Sequence, residues 1–266
     1  MADPMSFFDF NRAIVREPGR SVVGGIHTDP DASVDYEGIL SEHRAYVTAL
    51  RAAGLSVELL PPLEQYPDSI FVEDPALVFP EGAILLRPGA RSRLGESAEM
   101  RDVLKQHFQH VLELEGDEFA DGGDVLVTPA NVLIGTSGRT NRVGANGLVA
   151  KLNRFGRKSR IVETPEGILH LKTAVSLLDE NVVLATTRMA DSGVFAGFRI
   201  LVVPPDEAAA ANALRINDTV LVGACFPRTA DLVAREGFQV ETLPVTETGK
   251  LDAGLSCMSL RWRAQS

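Results

Sequence analysis

The sequence predicts an α/β fold in which five similar units close into a ring around a central channel. Two observations predict it. First, a phrase recurs: a helix ends, often near glycine, and a short strand follows, often with proline close behind. Its copies are Leu55–Pro61, His110–Glu115, Ser159–Pro165, Phe198–Pro204 and Phe238–Pro244. Second, each copy is followed by a polar loop, then by two apolar strands joined by a tight turn, and in most copies by a helix. Five units of roughly 45 residues indicate a repeat architecture, and ring closure removes free sheet edges.

Taken in order, Phe7–Val15 reads as a short apolar strand. Arg16–Thr28 is a glycine-rich loop, either a plain connection or a lid over a site. Ser33 reads as a helix cap, and Tyr36, Ile39, Leu40, His43, Val47 and Leu50 follow at helical spacing until Gly54. His43 lies on that apolar face and is assigned to the core. The paired strands are Ile70–Val78 with Ala83–Arg87, Asp124–Thr128 with Val132–Gly135, Thr173–Leu178 with Asn181–Ala185, and Ala213–Ile216 with Thr219–Gly223. Helices follow Glu96, Thr140 and Pro227; proline suits the first turn of a helix. Cys257–Trp262 pairs with Phe7–Val15 and closes the ring.

The 266 residues are read as one domain, 1–266, long enough to bury a substantial core. A hydrophobic content of 45% fits a soluble globular chain. A net charge of −10 argues against nucleic acid or an anionic membrane as main partner and mildly favours a cationic substrate. Two cysteines are too few for a disulfide framework. The N-terminal MADPMSFFDF lacks the pattern of a signal peptide, and no stretch is apolar and long enough to span a bilayer. The expected location is the cytoplasm.

A polar group recurs where each unit enters its inner strand: Glu73/Asp74, Asp121, His170, Asn212 and Cys257. The ring would turn carboxylates, an imidazole, an amide and a thiol toward one axis. A buried free cysteine is ordinarily a small hydrophobe, and a histidine between apolar residues is as often core as catalytic. Convergence of the two changes that balance. A thiol of ordinary pKa about 8.5 needs a proton carrier to become a nucleophile, and an imidazole can serve. Asp121, in DGGD, can accept from the imidazole and fix its tautomer. Adjacent Glu73 and Asp74 repel unless a cation lies between them, and paired acids match a planar guanidinium. No His/Cys cluster at ligand spacing and no phosphate or dinucleotide motif is present, so neither metal nor cofactor is expected. Arg93 and Arg139 lie in polar loops, as solvated charges or as docking points for a carboxylate.

These motifs resemble the dimethylarginine dimethylaminohydrolases, guanidino-group modifying enzymes built as a five-bladed α/β propeller of ββαβ repeats. The matching stretches are PDSIFVEDPALV, RPGARSRLGE, DGGDVL, RTNRVG, LHLKT, AAAANALRIN, FPRT and KLDAGLSCMSLR, in order over most of the chain. The resemblance implies Cys257 as nucleophile, His170 as general acid/base and Asp121 as its orienting partner. It implies guanidinium contacts at Glu73 and Asp74 and a further polar contact at Asp68. It places the substrate carboxylate at Arg93 and Arg139, a lid contact at Ile26 and a backbone contact to the amino group at Leu251. The implied reaction converts methylated arginines to citrulline and an amine through an S-alkylthiouronium adduct. Two alternatives stand beside it: a related guanidino or ureido hydrolase or amidinotransferase of the same fold, and a non-catalytic binding protein on a similar propeller. Oligomeric state is open, a homodimer being one option.

Overall fold

The computed structural model describes residues 7–264; residues 1–6, part of the stretch read above for a signal peptide, lie outside the described residues. Five three-stranded sheets form the five blades. The first holds β1 (Arg12–Arg16) in the middle and β2 (Ser56–Leu60) outside, reached through helix α1 (Tyr36–Ala52). The second holds β3 (Ala76–Phe79), β4 (Gly82–Leu85) and, after α2 (Glu96–His107), β5 (Val111–Glu113). The third holds β6 (Val125–Val127), β7 (Val132–Thr136) and, after α3 (Arg142–Arg154), β8 (Ser159–Glu163). The fourth holds β9 (Val175–Asp179), β10 (Val182–Ala185) and, after the short α4 (Thr187–Asp191), β11 (Arg199–Val202). The fifth holds β12 (Leu214–Ile216), β13 (Thr219–Gly223) and, after α5 (Pro227–Arg235), β14 (Gln239–Leu243). A last short helix, α6 (Thr246–Lys250), leads toward β15 (Leu260–Trp262), which pairs antiparallel with β1 and completes the first blade. In every blade the middle strand runs antiparallel to the inner one and parallel to the outer one.

The blades are held to one another by apolar contact. Each core cluster joins neighbours: Ile14 and Leu260 meet Ala76 and Leu85; Leu77 and Ile84 meet Val125 and Ile134; Leu126 and Leu133 meet Val175 and Val183. Leu178 and Leu184 meet Val220 and Val222, and Leu214 and Leu221 meet Ala13 and Val15, which closes the circle. A middle strand is therefore covered on both faces, which is why GAIL and VVLA are apolar throughout instead of alternating. Burying one such Leu or Ile stabilises by about 1.5–3 kcal/mol, so the inter-blade contacts carry much of the fold.

Four local expectations are corrected. The helix cap is Asp35, whose side chain accepts from Gly38 N–H, and not Ser33. The N-terminal strand begins at Arg12; Asn217, at φ 52, instead holds residues 8–10 by accepting from Phe10 N–H and donating to Phe8 and Phe10 carbonyls. Residues 70–74 form successive turns, with Phe71 and Asp74 N–H bonded three residues back, so the strand starts only at Ala76. Cys257 lies in a 3-10 turn, Leu255–Met258, ahead of β15 and not within a strand. The glycine-rich loop contains a 3-10 turn of its own at Arg20–Gly24.

Candidate active site

The 3-10 turn at Cys257 is one of a set. Gly122–Asp124 precedes β6, Leu171–Thr173 precedes β9 and Pro205–Ala211 precedes β12. Asp121 and His170 cap two of these turns and Asn212 ends the third, so all arrive at the entrance to their inner strands. The turns bring the expected residues together. His170 Nε2 lies 3.1 Å from Asp121 Oδ2. Asn212 Nδ2 lies 3.6 Å from Cys257 Sγ. The carbonyl of Cys257 accepts from Glu73 N–H, which ties the thiol's turn to the FVEDPA turn.

The DGGD stretch explains its own glycines. A Cβ at Gly122 would lie 1.9 Å from the Glu73 carbonyl oxygen, and one at Gly123 would lie 2.8 Å from the His170 ring. Gly123 N–H instead donates to Asp74 Oδ1 at 3.0 Å. Asp121 is fully buried; its other oxygen accepts from Gly89 N–H at 2.6 Å, so the carboxylate is fixed from two sides. Asp124, also fully buried, accepts from Leu171 N–H and from the Ser137 and Thr140 hydroxyls, and so fixes the His170 turn. Sequence reasoning missed Asp124 as a brace; the signal was a second acid in DGGD, on an otherwise apolar strand.

Electrostatics follow from this packing. Burial pulls the His170 pKa down, but the hydrogen bond to Asp121 and the charges of Asp74, Asp124 and Asp121 outweigh it and raise the value to about 9. Burial pushes Cys257 up, the charges of Glu73 and Asp74 add to it, and the thiol reaches about 11. Asp74 goes the other way: burial opposes its ionisation, yet Arg93 and the imidazolium hold it below the ordinary carboxylate range. Near neutral pH the resting site therefore carries a protonated thiol and an imidazolium, each acted on by the Asp74 carboxylate. Ligand-capable atoms of Asp74, Asp121 and His170 lie within 4.8 Å of one another, which is the spacing a metal site would need. Their oxygens already accept from Arg93, Gly89, Gly123 and His170, so protein donors serve where an ion would.

Two electrostatic expectations change. Among the described residues Glu73 and Asp74 share no protein cation. Glu73 bonds Lys172 Nζ at 2.5 Å, Arg261 at 3.3 Å and Ser256 Oγ at 3.2 Å, whereas Asp74 bonds Arg93 Nη1 at 2.5 Å. Adjacent side chains in a turn point apart, and each acid finds its own partner. Arg93 is not a solvated loop charge: it is 5% exposed and braces the 68–74 turn. Its guanidinium takes Glu96 with two bonds, Asp74 with one, and the carbonyls of Asp68 and Phe71. One Nη1 hydrogen is left without a protein partner among the described residues. Arg139 is half-buried, and its guanidinium has no hydrogen-bond or ion-pair partner among the described residues. Its backbone packs on Gly89, the residue that donates to Asp121.

Ile26, Asp68 and Leu251 form a second group. Asp68 Oδ1 accepts from Ile26 N–H at 2.9 Å, and a Cβ at Gly25 would meet both Leu251 and Asp68. Asp252 accepts from Thr28 N–H and hydroxyl, so the glycine-rich loop is fastened to the 251–252 turn.

With the fold and this geometry in place, the comparisons are specific. A family model described as arginine deiminase matches residues 40–210. The N(G),N(G)-dimethylarginine dimethylaminohydrolase of Pseudomonas aeruginosa is 37% identical over 254 residues, which cover 95% of this chain and 100% of that one. The chain belongs to the dimethylarginine dimethylaminohydrolase family. Solved structures of family members superpose over nearly the whole chain. A Pseudomonas aeruginosa cysteine-to-serine variant complexed with citrulline has a TM-score of 0.93 at 36% identity, covering 96% of this chain and 100% of that one. A histidine-to-glycine dimethylarginine dimethylaminohydrolase variant, captured as an adduct with S-methyl-L-thiocitrulline, has a TM-score of 0.92 at 36% identity, covering 95% and 99%. The five-bladed propeller expected from the repeats is the fold of this dimethylarginine dimethylaminohydrolase family member.

Proposed function

We propose that the chain hydrolyses Nω-methylated arginines, giving citrulline and dimethylamine or methylamine. The observation that carries this reading is a cluster in which Asp74 acts on both Cys257 and His170 while Asp121 bonds the imidazole, in a family member nearly full-length with dimethylarginine dimethylaminohydrolases.

In the mechanism we infer, Asp74 receives the substrate guanidinium, with Glu73 behind it adding negative field and holding the Cys257 turn. Arg139 takes the substrate carboxylate, joined by the free Nη1 hydrogen of Arg93. Asp68, Ile26 and Leu251 bound the amino-acid end. The bound cation offsets the two carboxylates that raise the thiol pKa, so Cys257 loses its proton to solvent on binding. The Asn212 amide donates to the sulfur. The thiolate attacks the guanidinium carbon and forms the C–S bond. The His170 imidazolium protonates the methylated nitrogen, the C–N bond breaks, and the amine leaves an S-alkylthiouronium. Now neutral, His170 takes a proton from water, the hydroxide adds to the same carbon, and the C–S bond breaks to release thiolate and citrulline, the added hydroxyl giving its proton to solvent. Asp121 keeps the imidazole oriented throughout. The chain's own residues supply each step, so no cofactor is called for. Both cysteines are free, which fits a reducing compartment, and we assign the cytoplasm.

Incubation with arginine, monomethylarginine and asymmetric dimethylarginine, scored for citrulline and the amine released, tests the reading. Methylated substrates should turn over in preference to arginine. Ammonia from arginine as the main product would instead favour the deiminase alternative.

A further inference from the structure

The entrance that holds Cys257 is only one end of the channel. Beyond it lies a cavity of about 420 Å³, lined by residues of all five inner strands, β3, β6, β9, β12 and β15. Cys257, His170, Asp74, Asp121 and Asn212 are absent from its lining. The same turns that build the site also contribute to the cavity, through residues one or two positions away. Asp74, His170 and Cys257 serve the site, while Glu73, Lys172 and Ser256 line the cavity.

The lining has a definite chemistry. Its walls are apolar, with Leu77, Leu126, Val175, Leu177, Leu214 and Leu260. Of its five Lys and Arg side chains, Arg157 pairs with Glu81, Arg215 with Asp179 and Arg263 with Asp9, which leaves Lys172 and Arg261 to share Glu73. At the end nearest the site, Lys172 and Arg261 both bond the single carboxylate of Glu73. Glu73 supplies one negative charge for the two cations, and Arg261 is held as well by the Ser256 and Ser259 carbonyls and the Ser259 hydroxyl, so the group keeps one positive charge in excess, with Lys172 only 9% exposed. Burying a charge without a counter-charge is costly. Ser176 lines the same cavity at 7% exposure, and its hydroxyl has no hydrogen-bond partner among the described residues. An excess positive charge, an unpaired hydroxyl and apolar walls fit one class of ligand. The volume lies within the range of small-molecule pockets, roughly 300–1,000 Å³.

We propose that this cavity is a second binding site, for a small organic carboxylate with an apolar body. The carboxylate pairs with Lys172 and Arg261 and accepts from Ser176, and the apolar part lies among the leucines.

The test is calorimetric titration of the full chain with 3-phenylpropanoate and with its neutral amide. The expected result is one-to-one binding of the acid with Kd near or below about 1 mM, and the amide at least about tenfold weaker. Lys172→Gln should weaken the acid by at least about tenfold, and Ser176→Ala by several-fold. Arg139→Ala, at the other entrance, should leave it unchanged. Equal binding of acid and amide, absence of binding, or loss of binding in Arg139→Ala would overturn the proposal. If Lys172→Gln does not fold, Ser176→Ala decides, and unchanged affinity in that variant overturns it.

Discussion

At the scale of single residues, the site runs on two protons held against ordinary chemistry. The free site holds one on Cys257 at about 11 and one on His170 at about 9. The reactive arrangement in the proposed mechanism has only one, a thiolate beside an imidazolium. kcat/KM, which reports the free enzyme, should therefore rise with pH up to about 9, level off, and fall above about 11 as the second proton leaves. The acid limb of kcat should lie at lower pH, because bound substrate cation favours the thiolate. A pH–rate series on one methylated substrate checks this; coincident acid limbs for kcat and kcat/KM would remove the substrate's part in activating the thiol. Arg139 gives a second prediction. Arg139→Ala should weaken amino-acid substrates by about ten- to a hundred-fold, the worth of a charge-assisted hydrogen bond, and spare small guanidines without a carboxylate. Equal loss for both kinds of substrate would make Arg139 structural.

At the scale of elements, the short turns ahead of the inner strands decide the chemistry. Gly122→Ala places a Cβ against the Glu73 carbonyl, a backbone atom that cannot swing away. The 121–124 and 73–74 turns must part, with an expected cost of about 1–3 kcal/mol and a loss of activity larger than the loss of stability implies. Gly249→Ala is the control: it lies in α6 with nothing within 4 Å of the new Cβ, and should be neutral or stabilising. Thermal melts and kinetics on both variants separate the cases. These turns also mark where sequence reading stops. The outer strands were legible because each follows a helix and four of the five end near proline. The positions of His170, Asp121 and Cys257 were legible because polar residues break an apolar repeat. The divergence of Glu73 from Asp74 was not, since neighbouring residues in a turn point apart by dihedral choices that leave no periodic trace. Nor was the burial of Arg93, whose partner Glu96 lies three residues on in what reads as a surface helix.

At the scale of the molecule, the ring is what makes five diverged units act as one site. The first and last strands of the described residues meet in one blade: β15 pairs with β1, Tyr46 and Ser259 hydroxyls lie 2.5 Å apart, and Asn11 exchanges hydrogen bonds with Ala264. Cys257 sits just ahead of that closing strand, while His170 comes from the fourth blade and Asp121 from the third. The bond from Glu73 N–H to the Cys257 carbonyl, between residues far apart in the chain, forms across that closure. The channel gives the assembly two ends of different character, an acid-lined entrance around Asp74 and Asp121 and a cationic apolar cavity beyond Glu73 and Lys172.

The central claim is that Cys257 forms a covalent bond to substrate carbon and that His170 is needed to break it. Mass spectrometry of acid-quenched His170→Gly after incubation with S-methyl-L-thiocitrulline tests it most directly. A persistent added mass is expected on Cys257, none on the exposed Cys225, and none at all in Cys257→Ser. An adduct on another residue, or normal turnover by Cys257→Ser, would contradict it.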